Sequence, residues 1–353
     1  MKDKNIGLIF TGGTIGSLAN DDDISPSDQA KYMLLKGYGK NLSRFDVSSP
    51  LNILSENANI GDVLKMAKAI SEKEQEVAIG LKGIVMTHGS DTLANNCAYL
   101  SFLLPKLKVP VVLVASNYIL TDPKANGISN FEAAVELIDK GVQPNIYVAY
   151  KNPEDDFTSI HLGSRMQEPA PFSDSFYSKN GYRFATYKDG EFNFENTNVN
   201  KDYSKIDNFK FGRYPSKSPL YIKPFNGLDY KVFDGAKFDF VLHDLYHSGT
   251  ANTQDCKDSA FETNFLNFVD NCNDKQIPVY LCNINKKDVN YNSTNQMMNK
   301  QVSFLYDILP NVALAKLMVA HNFLPGNQIN DYLYTDVAGE FLGDSKIKEK
   351  IKE

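Results

Sequence analysis

Two short apolar runs near the start of the chain each end in a turn rich in glycine and hydroxyls. Ile6-Gly7-Leu8-Ile9-Phe10 runs into Thr11-Gly12-Gly13-Thr14-Ile15, and Gly83-Ile84-Val85-Met86 runs into Thr87-His88-Gly89-Ser90-Asp91-Thr92. Short apolar runs of this kind read as buried strands, which belong to parallel sheets covered by helices. In an open α/β sheet, ligands bind outside the carboxyl ends of the strands, so two such turns on neighbouring strands would face one crevice. That crevice would hold several hydroxyls and one carboxylate, the groups needed to attack an amide.

The rest of the first half keeps the alternation. Leu51 to Leu54 reads as a strand, Ile60 to Lys73 as a helix, Leu93 to Leu104 as a helix, Val109 to Ala115 as a β-branched strand, Asn130 to Lys140 as a helix and Ile146 to Tyr150 as a strand. From about Asn152 the character turns aromatic and polar. Tyr182 to Tyr187 and Glu191 to Phe194 form a hairpin through Asp189-Gly190, because Asp-Gly accepts the positive φ of such turns. A second α/β section follows, with strands at Phe238 to Leu242 and Ile277 to Cys282 and helices around Asp258 to Cys272 and Val312 to Asn322. The fold class is therefore α/β, with a large N-terminal doubly wound, mainly parallel sheet domain and a smaller C-terminal α/β domain. The boundaries read as a first domain over 1–195, a linker over 196–219 and a second domain over 220–353.

A length of 353 residues suits two domains, and a net charge of −6 argues against a nucleic-acid partner, whose phosphates call for basic patches. No stretch reaches membrane-spanning length, and the N-terminal apolar run is broken by glycine and threonine too early for a signal peptide. Four scattered cysteines without a metal-type pair read as reduced thiols, so a cytoplasmic location is expected, without membrane or nucleic-acid partners. The five histidines show no ligand spacing, and no metal is expected.

In Thr11-Gly12-Gly13-Thr14 the paired glycines let backbone approach a ligand closely, and the threonines place hydroxyls at the strand end. Such turns also bind phosphate, although GxGxxG and the Walker lysine pattern are absent. Ser90 and Asp91 have an equally simple reading as caps of the following helix. His88, a lone histidine at a strand end, reads as structural.

Taken together, Thr11-Gly12-Gly13-Thr14-Ile15 and Thr87-His88-Gly89-Ser90-Asp91-Thr92 resemble the bacterial-type asparaginase and glutaminase-asparaginase family, whose motifs read TGGTI and THGTDT. The resemblance extends to Ser55-Glu56-Asn57, Pro110-Val111-Val112, Asn126-Gly127 with Asn130, Tyr246-His247-Ser248-Gly249-Thr250-Ala251 and Ala313-Leu314-Ala315-Lys316-Leu317. It implies release of ammonia from the side-chain amide of asparagine, or of glutamine, through an acyl-enzyme on Thr14. Ser90 stands for the second catalytic threonine. Asp91 and Glu56 would bind the substrate ammonium and Ser55 its carboxylate. Gly13, Gly89 and Ser90 would line the substrate and oxyanion site. The resemblance further implies a small amino-acid ligand, no cofactor and a homo-oligomer in which Thr250 of a neighbouring copy approaches the site.

Two departures stand out. Ile24 occupies the best-aligned place of the family's lid tyrosine, within Asp21-Asp22-Asp23-Ile24-Ser25-Pro26, while Tyr32 and Tyr38 lie further on. The Gly-x-Arg-x-x-Lys segment reads Gly163-Ser164-Arg165-Met166-Gln167-Glu168, so the lysine is replaced by Glu168 or, on a shifted alignment, by Arg165, with Lys151 another possible donor. Arg165 in that role could orient or polarise but not shuttle a proton. The departures support two further readings: a catalytically weakened amino-acid-binding or regulatory protein, and an amidase for a larger amide.

Overall fold

The computed structural model describes residues 4–19, 23–199, 201, 202, 206, 209, 214–256, 260–286 and 290–341. Part of the linker expected over 196–219, and Asp258 at the expected helix start, lie outside the described residues. The chain divides into two compact units, Met1–Tyr214 with Val337–Gly339, and Pro215–Asp336 with Glu340–Glu353.

The first unit carries strands β1 (Ile6–Ile9), β2 (Ser17–Ala19), β3 (Ile24–Pro26), β4 (Phe45–Ser48), β5 (Gly83–Thr87), β6 (Val111–Val114), β7 (Ile146–Tyr150), β8 (Thr158–Leu162), β9 (Ala185–Lys188) and β10 (Glu191–Phe194). Eight of them form one sheet in the order β10-β9-β8-β7-β6-β5-β1-β4, parallel from β4 through β7 and antiparallel beyond. Every residue of β1, β5, β6 and β7 is buried, as expected of strands covered on both faces. Helices α1 (Asp28–Tyr38) and α4 (Gly127–Asp139) pack on one face, where Leu34, Tyr38, Phe131 and Leu137 meet Leu8, Val85, Val112 and Tyr147. Helices α2 (Ile60–Lys73) and α3 (Leu93–Leu103) contact each other and the strands β1 and β7.

The strand order explains where a ligand can sit. After β1 the chain moves outward to β4 at one edge, whereas after β5 it moves the other way to β6. The connections leaving the adjacent strands β1 and β5 therefore diverge, and a sheet with this reversal leaves a crevice at their carboxyl ends. The expected strand at Leu51 to Leu54 does not form. Only Ile53 pairs, in an isolated bridge to Gly12, and the edge strand is Phe45–Ser48 instead.

The second unit has strands β11 (Pro219–Ile222), β12 (Phe240–Asp244), β13 (Val279–Ile284) and β14 (Ser303–Tyr306), all parallel in that order. Its helices are α5 (Phe265–Asp274), α6 (Asn292–Met298), α7 (Pro310–Phe323) and α8 (Gly326–Tyr334). Phe265, Phe268 and Val269 of α5 pack on Val241 and Leu281, and His321 of α7 stacks on Phe240 at 4.2 Å between ring centres.

Candidate active site

The turn after β1 is shaped by two glycines with positive φ and no room for a Cβ. Gly12 has φ of 104° and bridges Ile53, and the Gly13 amide donates to the Ile53 carbonyl at 2.9 Å. Gly13 has φ of 76°, and a Cβ there would fall 2.5 Å from the Gly89 Cα and 2.6 Å from the His88 carbonyl carbon. A Cβ on Gly89 would in turn fall 2.6 Å from the Ser55 Cβ. The β1 turn and the β5 turn thus meet backbone to backbone, and the Ser55 side chain of the Ser55–Asn57 turn packs against Gly89. Gly13→Ala combines this overlap with a positive φ, strain worth about 1–3 kcal/mol before any clash is counted. It is expected to lower the thermal midpoint and to displace the β5 turn; an unchanged melting curve would contradict the packing described.

The hydroxyls around the crevice divide into two groups. Thr11 Oγ1 donates to the Thr87 carbonyl at 2.6 Å, and Thr87 Oγ1 accepts from the Thr11 amide at 3.3 Å. Ser17 donates to the Gly13 carbonyl at 2.8 Å and Thr92 to the Ser55 carbonyl at 3.0 Å. Ser55 Oγ reaches Asp91 Oδ2 at 3.5 Å, the limit of a hydrogen bond. Thr14 and Ser90 remain: both are half-buried, and neither hydroxyl bonds to any described residue. Nor do the main-chain N–H groups of Thr14, Gly89 and Ser90 donate to a described group. Capping is not what holds Ser90 and Asp91, since the residue at the N-cap of α3 is Thr92, and no side chain caps that end.

Asp91 and Glu56 are exposed carboxylates beside these groups in the chain. Two hydroxyls and three amide donors without a described partner, with carboxylates nearby in the chain, form a set suited to hold a small zwitterion and receive an oxyanion. His88 is buried, and burial pulls its imidazole below the ordinary histidine range. Its ring bonds to Gly89 and to Asn96, a buried residue of α3 that the sequence reading passed over. The available signal was the pair Asn95-Asn96 in a helix whose remaining residues are apolar apart from Tyr99 and Ser101.

The other expected residues lie as follows. Arg165 is buried, and its Nε donates to the Gly339 carbonyl, while Ser164 Oγ donates to the Ala338 carbonyl at 2.7 Å. Glu168 accepts from Asn95 of α3 at 2.9 Å. The Lys151 amide donates to Asn130 at the end of β7. Ile24 is exposed in the hairpin formed by β2 and β3, whose neighbours Asp21 and Asp22 lie outside the described residues. Tyr32 is exposed on α1, and Tyr38 sits in the core with its ring 5.2 Å from that of Phe131. Thr250 belongs to the second unit, where its Oγ1 lies 3.0 Å from Ser248 Oγ in the wall of a cavity of about 820 Å³ that Phe225, Tyr246 and Tyr291 also line.

Comparison with known proteins shows the family and the fold of the chain. A subunit of the glutamyl-tRNA(Gln) amidotransferase of Methanosphaera stadtmanae is 23% identical over 352 residues, covering 96% of this chain and 77% of that protein. L-asparaginase of Thermococcus kodakarensis is 30% identical over 173 residues, 46% of this chain and 46% of its own length. The solved thermostable L-asparaginase of Thermococcus kodakarensis superposes with a TM-score of 0.72 at 22% identity, over 96% of this chain and 99% of that one, so the fold is shared. The profile described as asparaginase, N-terminal, matches residues 5–200, more than half of the chain and the whole span of both glycine turns. The chain therefore belongs to the asparaginase family of amidohydrolases.

Proposed function

We propose that the chain hydrolyses the side-chain amide of L-asparagine with Thr14 as nucleophile. The observation that carries this reading is that, among the described residues, the Thr14 and Ser90 hydroxyls have no partner while the neighbouring hydroxyls are bonded to protein. Thr14 Oγ1 attacks the amide carbon, the oxyanion is received by the free amides of the two turns, and ammonia leaves with the hydroxyl proton. Water then cleaves the ester to aspartate and restores the hydroxyl. Ser90 carries the proton between nucleophile and leaving group, Asp91 and Glu56 hold the substrate ammonium, and Ser55 holds its carboxylate. Gly13 and Gly89 let the two turns close on the ligand. Arg165, held by the Gly339 carbonyl, contributes positive charge without moving a proton.

The likeness to a protein of an amidotransferase along almost the whole chain favours glutamine as the second amide. Its additional methylene changes discrimination by only about 1–3 kcal/mol. Cytoplasmic action in a homo-oligomer, with Thr250 of a neighbouring copy near the substrate, belongs to the same proposal; no helix among the described residues is long and apolar enough to cross a membrane.

The test is ammonia release from L-asparagine, D-asparagine and L-glutamine by the purified protein. Release from none of them, together with thermal stabilisation by aspartate, would replace hydrolysis by amino-acid binding. Asp91→Asn removes a charge-assisted contact worth about 1.5–3 kcal/mol, so kcat/KM is expected to fall roughly tenfold to a hundredfold, mainly through KM. An unchanged KM would remove Asp91 from the ammonium site.

A further inference from the structure

We infer that His88 is a positioning residue: Asn96 locks its imidazole in the Nδ1–H form, and that N–H pins the Gly89 carbonyl so that the Ser90 N–H is directed into the crevice. The inference rests on the amide-hydrolysis reading for its catalytic meaning and on hydrogen-bond chemistry for its geometry.

The donor and acceptor roles in this network leave one self-consistent arrangement. His88 Nδ1 lies 2.7 Å from the Gly89 carbonyl oxygen, which only accepts, so Nδ1 carries the hydrogen. A neutral imidazole then presents Nε2 as an acceptor, and the Asn96 amide nitrogen, a donor, lies 3.0 Å from it. The second hydrogen of that amide goes to Thr92 Oγ1 at 3.1 Å. Thr92 is able to accept because its own hydrogen goes to the Ser55 carbonyl at 3.0 Å. Burial of the ring reinforces the neutral form.

The consequence for the site follows from peptide planarity. The described chain has no cis peptide bonds, so the Gly89 carbonyl and the Ser90 N–H point in opposite directions across one plane. Fixing the carbonyl against His88 fixes the direction of an N–H that no described group accepts. The preceding residue is held from the other side, where Gly13 packs directly on Gly89. Through Thr92 the same network holds the Ser55 carbonyl, so one side-chain amide on α3 orients two walls of the crevice.

Three variants and one spectrum test this. His88→Leu removes the pin and is expected to lower kcat for L-asparagine tenfold to a hundredfold, with KM changed less than about threefold. His88→Asn places an amide donor near the former Nδ1 and is expected to recover kcat to within about fivefold of the parent. Asn96→Leu keeps the ring but frees its tautomer. In the parent, the nitrogen-15 spectrum of the histidine rings should show His88 as a single Nδ1–H tautomer; in Asn96→Leu it should show a mixture with the Nε2–H form. An Nε2–H tautomer in the parent overturns the inference, as does a His88→Leu kcat within twofold of the parent or an equal loss in His88→Asn. If the parent releases no ammonia from any of the three amides, the hydrolysis reading fails, and the spectrum alone then supports or overturns the locked imidazole.

Discussion

Replacing Thr14 by alanine is expected to lower kcat for L-asparagine roughly 10⁴-fold or more, the scale on which loss of an activated hydroxyl nucleophile acts. The structure predicts little else from this change. The Thr14 hydroxyl bonds to no described residue and is half-exposed, so its removal orphans no buried partner. The short 3-10 turn Thr14–Gly16 is held by main-chain bonds, with the Gly16 amide donating to the Gly13 carbonyl at 2.9 Å. The thermal midpoint should therefore stay within a few degrees of the parent, and aspartate should still raise it, because Ser55, Glu56 and Asp91 are untouched. Ammonia release and a melting curve with and without aspartate check both halves. Residual turnover above about a tenth of the parent would remove Thr14 as the nucleophile, whereas loss of activity together with loss of the fold would assign it a structural role.

The second large effect lies in the other unit and concerns stability. Lys316 is fully buried on α7, and its ammonium donates to the Leu333 carbonyl at 3.0 Å, the Thr335 carbonyl at 2.6 Å and Glu340 Oε1 at 2.5 Å. Glu340 is equally buried. Lys316→Met preserves the length of the side chain but removes the ammonium that neutralises the buried Glu340 carboxylate and bonds two carbonyls. Breaking such a pair from one side costs about 3–5 kcal/mol, whereas replacing both partners by apolar groups of similar size is often close to neutral. Lys316→Met is accordingly expected to move the urea midpoint to lower concentration and to lower the unfolding free energy by that amount, and Lys316→Met with Glu340→Leu to recover most of it. Tyrosine fluorescence can follow the transition, as the chain has 19 tyrosines and no tryptophan. A loss below about 1 kcal/mol in the single variant would mean that the carboxyl is protonated or reached by water.

The helix Ile60–Lys73 is legible to the residue because its start is written locally. Asn59 caps the Gly61 amide at 2.8 Å, and Asp62 returns a bond to the Asn59 amide at 3.2 Å. The strands at Gly83–Thr87 and Ile146–Tyr150 are legible because burial on both faces demands unbroken apolar runs. Phe45–Ser48 escapes the same reading. It is an edge strand with only Phe45 buried, so its sequence need not look apolar, and the more apolar Leu51 to Leu54 draws the assignment. Thr158–Leu162 escapes for another reason: Thr158, Ser159 and His161 are buried polar residues within a fully buried strand. Polar residues of that kind are tolerated where the fold supplies partners, as Ser178 does for His161 at 2.8 Å.

By itself the sequence determined that two glycine-hydroxyl turns close apolar strands, and which chemical groups those turns bring. Strand burial and the left-handed freedom of glycine are local properties that composition and spacing record. Tertiary structure alone decided which groups are free to act. Six hydroxyl side chains stand within the motif segments Thr11-Gly12-Gly13-Thr14, Ser55-Glu56 and Thr87 to Thr92, yet packing left Thr14 and Ser90 without a bond to any described residue while tying Thr11, Thr87 and Thr92 to backbone. The same holds for Arg165 on the Gly339 carbonyl and for the tautomer of His88, each set by a partner distant in sequence or on another element. A hydrogen bond depends on where its partner lies, and for these residues the partner's place is a property of the folded chain.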